Sequence, residues 1–541
     1  MAAKPADVLV LVLVALPALA GLAGTLTLAS GALTLGEAPP VPPGVLRASL
    51  LSVWTGLSST ILAVVLTFSV LAAVGPRAAR WLAPLAAVPH AALGLGLAFL
   101  IAPSGFIVRL FGFETPPDVA LLHDPYGLGL ILALVVKEVP FLLILSAGAL
   151  ARLPVPLTDA LKTGRMLGRP DAVTWRLVVL PMLMPLIRMP VLIVLAYSVT
   201  VTDLALILGP ANPPTLAVLT LRLVHSPDLG ALVPAARLAL LQLALVGLAI
   251  VALALAARAA QFWRARLLLD GGHGLERGAG LVRSGQIALV ALLTLGGLAM
   301  ALLLLWSFAA RWSFPDLWPS DFGLKAWTAG SGLWAVLRQT ASLGILAAGL
   351  SLLIVIAIFE WRERKGQISS DLLVAGAALP LILPQMAFLF GLQIMLLRAG
   401  IEPGFGAVLL AEMAIVLPYT LLCLADPWRA VDHRLLAQAE SLGAGRLRRL
   451  VAVRLPLLST PILTVLAISF SVSVAQYLTV ILAGGGRGAT LTSEAVALAS
   501  GSDRRVASSF GLMQASLPLV GFGLALGLPR LIWRHRAAMR G

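Results

Sequence analysis

Ala437-Gln-Ala-Glu-Ser-Leu-Gly443-Ala-Gly-Arg-Leu-Arg-Arg-Leu-Val-Ala-Val-Arg-Leu-Pro456 is a basic stretch between two long apolar runs, and a version of it occurs twice. The counterpart runs from Lys162-Thr-Gly-Arg-Met-Leu-Gly168 to Leu180-Pro181. Leu442-Gly443 precedes Val453, Leu455 and Pro456, as Leu167-Gly168 precedes Val178, Leu180 and Pro181. The step from Gly168 to Pro181 equals that from Gly443 to Pro456, so one constant offset carries the first copy onto the second. Further landmarks match in the same order. Pro89-His90 with Gly96 pairs with Pro384-Gln385 and Gly391, the segment Tyr197 to Asp203 with Phe470 to Gln476, and Thr215-Leu216 with Thr490-Leu491. Internal repeats decide architecture before any motif does. This chain is one unit written twice.

The surroundings of the repeat set the solvent. Of 541 residues 60% are hydrophobic and only 12% charged, about half the charge of a soluble domain. So little polar surface rules out a soluble enzyme, and Cys423, the single cysteine, rules out a disulfide scaffold. A membrane helix needs about 20 apolar residues. Twelve such stretches can be drawn: 7–30, 49–75, 82–103, 128–150, 182–209, 231–257, 284–308, 334–360, 371–397, 407–425, 457–483 and 507–529. The fold class expected is all-α and polytopic, with about 12 transmembrane helices as two parallel six-helix units. Their bounds are 1–257 and 284–541, with a cytoplasmic linker at 258–283 that includes Asp270-Gly-Gly-His273. Lys4 and the small residues Ala18 to Ala20 also suit a cleavable signal peptide. The length of the first apolar run and the eleven spans after it favour a retained helix.

Charge fixes the expected orientation. With both termini inside, 26 of the 39 Lys and Arg fall in inner loops, 9 in outer loops and 4 within spans. That excess follows the positive-inside rule. It accounts for the net charge of +15 without nucleic acid, because the cations are spread over many short loops. Trp312, Trp318 and Trp327 suit an aromatic belt on the outer side.

The two repeated loops, 158–181 and 432–456, lie before spans five and eleven. The second resembles the EAA loop (Glu-Ala-Ala, three residues, Gly, then an apolar position and Leu-Pro) of binding-protein-dependent ABC importer permeases, and the first is a degenerate version. The likeness extends over the whole chain, in the fused tandem layout similar to iron(III) and thiamine permeases. The family's leading Glu is replaced by Lys162 and Ala437, while both glycines are kept. The resemblance implies that Gly164, Leu167, Gly168, Leu180 and Pro181, with Ala439, Leu442, Gly443, Ala444, Leu455 and Pro456, form knobs that seat in cytoplasmic ATPases. Asp432 is placed to cap the first helix of its loop, and Thr158 or Asp159 that of the other.

The resemblance further implies two ABC ATPase subunits inside, a periplasmic or lipid-anchored solute-binding protein outside, and a bacterial inner-membrane location. No Gly-x-x-x-x-Gly-Lys-[Ser/Thr] phosphate loop occurs, so the expectation is a permease subunit and no enzyme. It would bind no cofactor of its own, and its partners would hydrolyse the ATP. The six histidines lack metal-ligand spacing, and His90 reads as a packed or hydrogen-bonded residue. Asp203, Gln476, Lys137 and Glu138 are candidates for the translocation path, with Lys137 expected to pair with a carboxylate; Glu412 is a further ionisable residue, within span ten. The alternative is that these residues are interhelical glue or snorkel to an interface. A secondary transporter of the major facilitator class shares the 6+6 plan. It would carry its basic signature after spans two and eight, where the loops here (76–81 and 361–367) are short. A polytopic enzyme would need clustered catalytic groups at one membrane face, and the sequence has none.

Overall fold

The computed structural model of the protein describes residues 5–32, 40–118, 121–269, 279–328, 332–365, 376–501 and 503–532. Asp270 to His273 and the start of the expected ninth span, 371–375, lie outside them. Within the described residues the apolar stretches fold mainly as helix, because a helix satisfies its backbone groups internally where lipid offers no partner. Twelve segments do not make twelve straight helices, however. Among the described residues nine helices are long and apolar enough to span: Val45–Val74, His90–Leu110, Leu128–Leu150, Asp171–Thr200, Leu229–Arg264, Val282–Phe308, Leu333–Arg364, Phe405–Arg429 and Arg504–Ile532. A tenth is a pair, Arg446–Leu457 and Ser459–Val474, bent by 77°, and Val14–Ala29 and Gln385–Arg398 are shorter. The bend falls where Pro461 has no N–H to offer the Leu457 carbonyl.

Proline also sets the differences from the expected bounds. Pro140 and Pro418 sit inside unbroken helices. Pro89 instead separates Ala78–Ala87 from His90–Ile101, and Pro384 precedes Gln385–Arg398. The third span therefore starts at His90 and not at the expected Leu82. The expected linker is largely helical: Leu232–Leu269 runs through its start, and Ala279–Phe308 includes its end.

The repeat recurs as paired contacts. Leu216 N donates to Ser52 Oγ, and Leu491 N to Thr340 Oγ1, both at 2.9 Å. Gln242 Nε2 donates to Thr220 Oγ1, and Gln514 Nε2 to Thr492 Oγ1. The first span of each sequence half lies against the third span of the other. Pro5–Ala29 packs along Gln385–Arg398, and Ala279–Phe308 along His90–Ile101. Small residues permit this approach. A Cβ on Gly391 would run into Gly21 O, and one on Gly96 would meet Ala299 O. Two helices thus cross between the halves.

Candidate functional site

Both repeated loops fold alike. A helix (Leu157–Met166 or His433–Ser441) ends at a left-handed glycine, Gly168 at φ 69° or Gly443 at φ 79°. The N–H after each glycine bonds back to the helix: Arg169 N to Gly164 O and Ala444 N to Ala439 O, both at 2.9 Å. The glycine N–H groups close the inner pairs, Gly168 N to Arg165 O and Gly443 N to Glu440 O, at 2.9 Å. This is the double bond pattern of a Schellman cap, which favours glycine. Gly164 packs so close to Thr174 that a Cβ would overlap its Oγ1.

A short helix follows (Asp171–Thr174 or Arg446–Arg449), then a π-helical turn (Trp175–Val179 or Leu450–Arg454) leading into Leu180-Pro181 or Leu455-Pro456. A proline cannot serve the carbonyl four residues before it. Arg264 Nη1 takes that orphan at Leu177, at 3.0 Å. Asp432 caps its helix, accepting Arg434 N at 2.9 Å. Thr158 and Asp159 do not cap theirs. The helix starts at Leu157 behind Pro156, so both already lie in its first turn.

An ion pair closes each loop across its glycine, with the signs exchanged. Arg165 grips Asp171 through two bonds of 2.7 and 2.6 Å. Glu440, which the repeat offset matches to Arg165, pairs with Arg449 at 2.6 Å. The second loop is tied down further. Arg454 bonds Glu360 at 2.7 Å and Glu363 at 2.5 and 2.7 Å, and lies 4.6 Å over Trp428. The apolar tips stay in the open, with Leu167 66% and Leu442 86% exposed.

The centre is acidic and aromatic. Glu138 and Asp203 are only 5% and 7% exposed. His90, just after the Pro89 break, places Nε2 at 3.1 Å from Glu138 Oε1, and its ring lies 4.6 Å from that of Tyr197. Tyr197 OH donates to Asp203 Oδ1 at 3.1 Å. Tyr419 lies within electrostatic reach of Glu138, and Tyr477 within that of Asp203. Groups from spans three, four, five, ten and eleven therefore meet.

Lys137 does not join a carboxylate, contrary to expectation. Its Nζ donates to Ala86 O at 2.7 Å and to Val88 O, carbonyls left over where Pro89 interrupts the helix. Gln476 is buried, and its Oε1 has no protein partner among the described residues. It is not the repeat equivalent of Asp203. The short helices after the two breaks begin at Asp203 and Leu478, which stand at the same offset as Gly168 and Gly443, so the match shifts from Gln476 to Leu478. Glu412 stands elsewhere, accepting a bond from Ser473 Oγ. Among the described residues no three His, Cys, Asp or Glu side chains come together to hold a metal. Tyr197, Tyr419 and Tyr477 were missed as site residues. The available signal was scarcity, since the chain has four tyrosines and three converge here.

A duplicated multi-pass helical bundle with polar groups at its centre and paired loops on one face has the construction of a membrane permease. Comparison with known proteins agrees. The family described as "Binding-protein-dependent transport system inner membrane component" matches residues 361–532. The chain is 29% identical over 528 residues to the inner membrane ABC transporter permease protein YnjC of Escherichia coli K12, covering 95% of this chain and 94% of that protein. It is 28% identical over 133 residues to the spermidine/putrescine transport system permease protein PotC of Haemophilus influenzae, covering 25% of this chain and 49% of that one. It is also 27% identical over 154 residues to the thiamine transport system permease protein ThiP of E. coli K12, covering 28% and 29%. Residues 361–532 carry the inner-membrane component of binding-protein-dependent transport systems, and the chain is the transmembrane permease subunit of an ABC importer. The major facilitator alternative is not favoured.

Proposed function

We propose that this single chain supplies both halves of a solute path, with six-helix units at 1–257 and 284–541, and that loops 158–181 and 432–456 couple it to two cytoplasmic ABC ATPases. The observation that carries this reading is the paired exposed leucine, Leu167 and Leu442, each at the tip of the same helix–glycine–helix knob. An apolar tip in water at two equivalent places marks a surface that a partner covers. Arg454, held by two glutamates and a tryptophan, ties the second knob to spans eight and ten, so a push on the knob reaches the bundle. On this reading the chain binds no cofactor, its partners hydrolyse ATP, and a periplasmic or lipid-anchored binding protein delivers the solute. The loop charges support a bacterial inner-membrane location with both termini in the cytoplasm.

The central cluster suits an organic cation. Two buried carboxylates supply charge, and tyrosine rings offer π faces to an ammonium. Two relatives carry the names of spermidine/putrescine and thiamine transport systems, and these solutes are cations. In this reading Glu138 and Asp203 meet the charge, Gln476 supplies its unpaired amide oxygen, and Lys137 holds the helix break. The coupling is tested by replacing Leu167 and Leu442 together with Asp and purifying the permease in mild detergent with its ATPases. The variant is expected to remain monodisperse and to lose the ATPases. If they stay bound, or if none accompanies the wild-type chain, the proposal fails.

A further inference from the structure

Cations are scarce on the face opposite the two loops, yet four of the nine counted there converge on one cavity of about 620 Å³. Arg109, Arg311, Arg504 and Arg505 reach it from three separate segments, and Trp306 and Trp312 form part of its wall. Such clustering is costly, and the like charges of Arg109 and Arg504 act on each other directly. Acids do not balance it. Asp503 is engaged by Arg505 through bonds of 2.9 Å, which hold its carboxyl below the usual range. Asp316 lies within electrostatic reach of Arg109 but does not line the cavity.

The guanidiniums are held in position. Arg109, 6% exposed, donates to the carbonyls of Ser104, Ser313 and Asp316 and lies 5.0 Å from the Trp312 ring. Arg504 is braced by Ser104 O at 3.2 Å and Ser104 Oγ at 2.6 Å. Neither Arg109 Nη2 nor Arg311 has a protein acceptor among the described residues. Depth narrows the ligand. His90–Leu110 and Val282–Phe308 end at this cavity and Arg504–Ile532 begins there, so it lies where hydrocarbon gives way to headgroups. Exposed Phe111 and Trp318 continue the level as an aromatic belt, while Trp312 is buried in the cavity wall and not in the belt expected of it.

We infer that this cavity is an anion site for a phosphate group, of the kind carried by an anionic phospholipid headgroup or by free phosphate. Arginine is suited to it, because its planar fork binds phosphate through two donors at once.

The full chain in detergent, stripped of lipid, can be titrated with phosphatidylglycerol, phosphatidylcholine and inorganic phosphate while bound lipid is counted by native mass spectrometry and thermal stability is followed. Arg311→Gln removes a side chain without bonds of its own, and Arg504→Gln removes a braced one. Wild-type chain is expected to retain phosphatidylglycerol over phosphatidylcholine, and Arg311→Gln to weaken that retention about tenfold. Stabilisation by inorganic phosphate that is lost in the same variants supports the site with a soluble source. The inference is overturned if neither phosphate binds in preference to chloride, or if both variants bind as wild type does. A response to an added binding protein alone would also overturn it.

Discussion

Lys137 and Glu138 are neighbours in one helix, and their side chains do different work. Successive helical residues point about 100° apart, so one ammonium reaches the carbonyls of Ala86 and Val88 while the next carboxylate reaches His90. Lys137→Met is expected to leave two buried carbonyls without donors, at about 1–3 kcal/mol each. Uptake should fall only as far as folded protein falls. Asp203→Asn keeps the shape and the contact with Tyr197 but removes charge, so the fold should survive while cation uptake drops about tenfold or more. Thermal unfolding in detergent measured beside vesicle uptake separates the two. Wild-type uptake by Asp203→Asn would remove that carboxylate from the path. The sequence showed that ionisable residues stand inside spans. It could not show their directions, because the need for Lys137 arises at the Pro89 break between two earlier helices, about 50 residues back along the chain.

At the scale of the element, the constant offset between the copies made both knobs legible, since glycine, leucine and proline recur in step. The ion pair that closes each knob was hidden for a physical reason. Opposite charges attract equally well in either order, so Arg165 with Asp171 and Glu440 with Arg449 do the same job while an alignment reads Arg against Glu as a mismatch. Both pairs are partly in water, where a single pair contributes about 0.2–1 kcal/mol. Arg165→Asp or Asp171→Arg alone should therefore slow ATP-driven uptake by about 1.4- to 5-fold, with little change in thermal stability. The double exchange should restore it. If the double variant is no better than the worse single one, the pair does not set the knob's shape.

For the whole molecule, the repeat predicted two similar units but not that each would lend its first helix to the other. Nothing in a span's own composition names its neighbour. Only the backbone contact at small residues records it, where Gly391 admits Gly21 and Gly96 admits Ala299. The crossing has a mechanical consequence. A connection after Leu269 is not what holds the halves together, since Pro5–Ala29 lies on Gln385–Arg398 and Ala279–Phe308 lies on His90–Ile101. A protease site inserted between Gly271 and Gly272 and cut after purification should therefore leave two fragments that migrate as one particle in detergent. Gly391→Leu should loosen that particle, because the new side chain must displace backbone rather than a flexible side-chain end; overpacking of this kind costs about 1–3 kcal/mol. Fragments of the cut wild-type chain that separate freely would show that the crossing helices do not carry the assembly. Fragments that stay together equally well with Gly391→Leu would place the adhesion elsewhere, first at the other crossing, where Ala279–Phe308 lies on His90–Ile101.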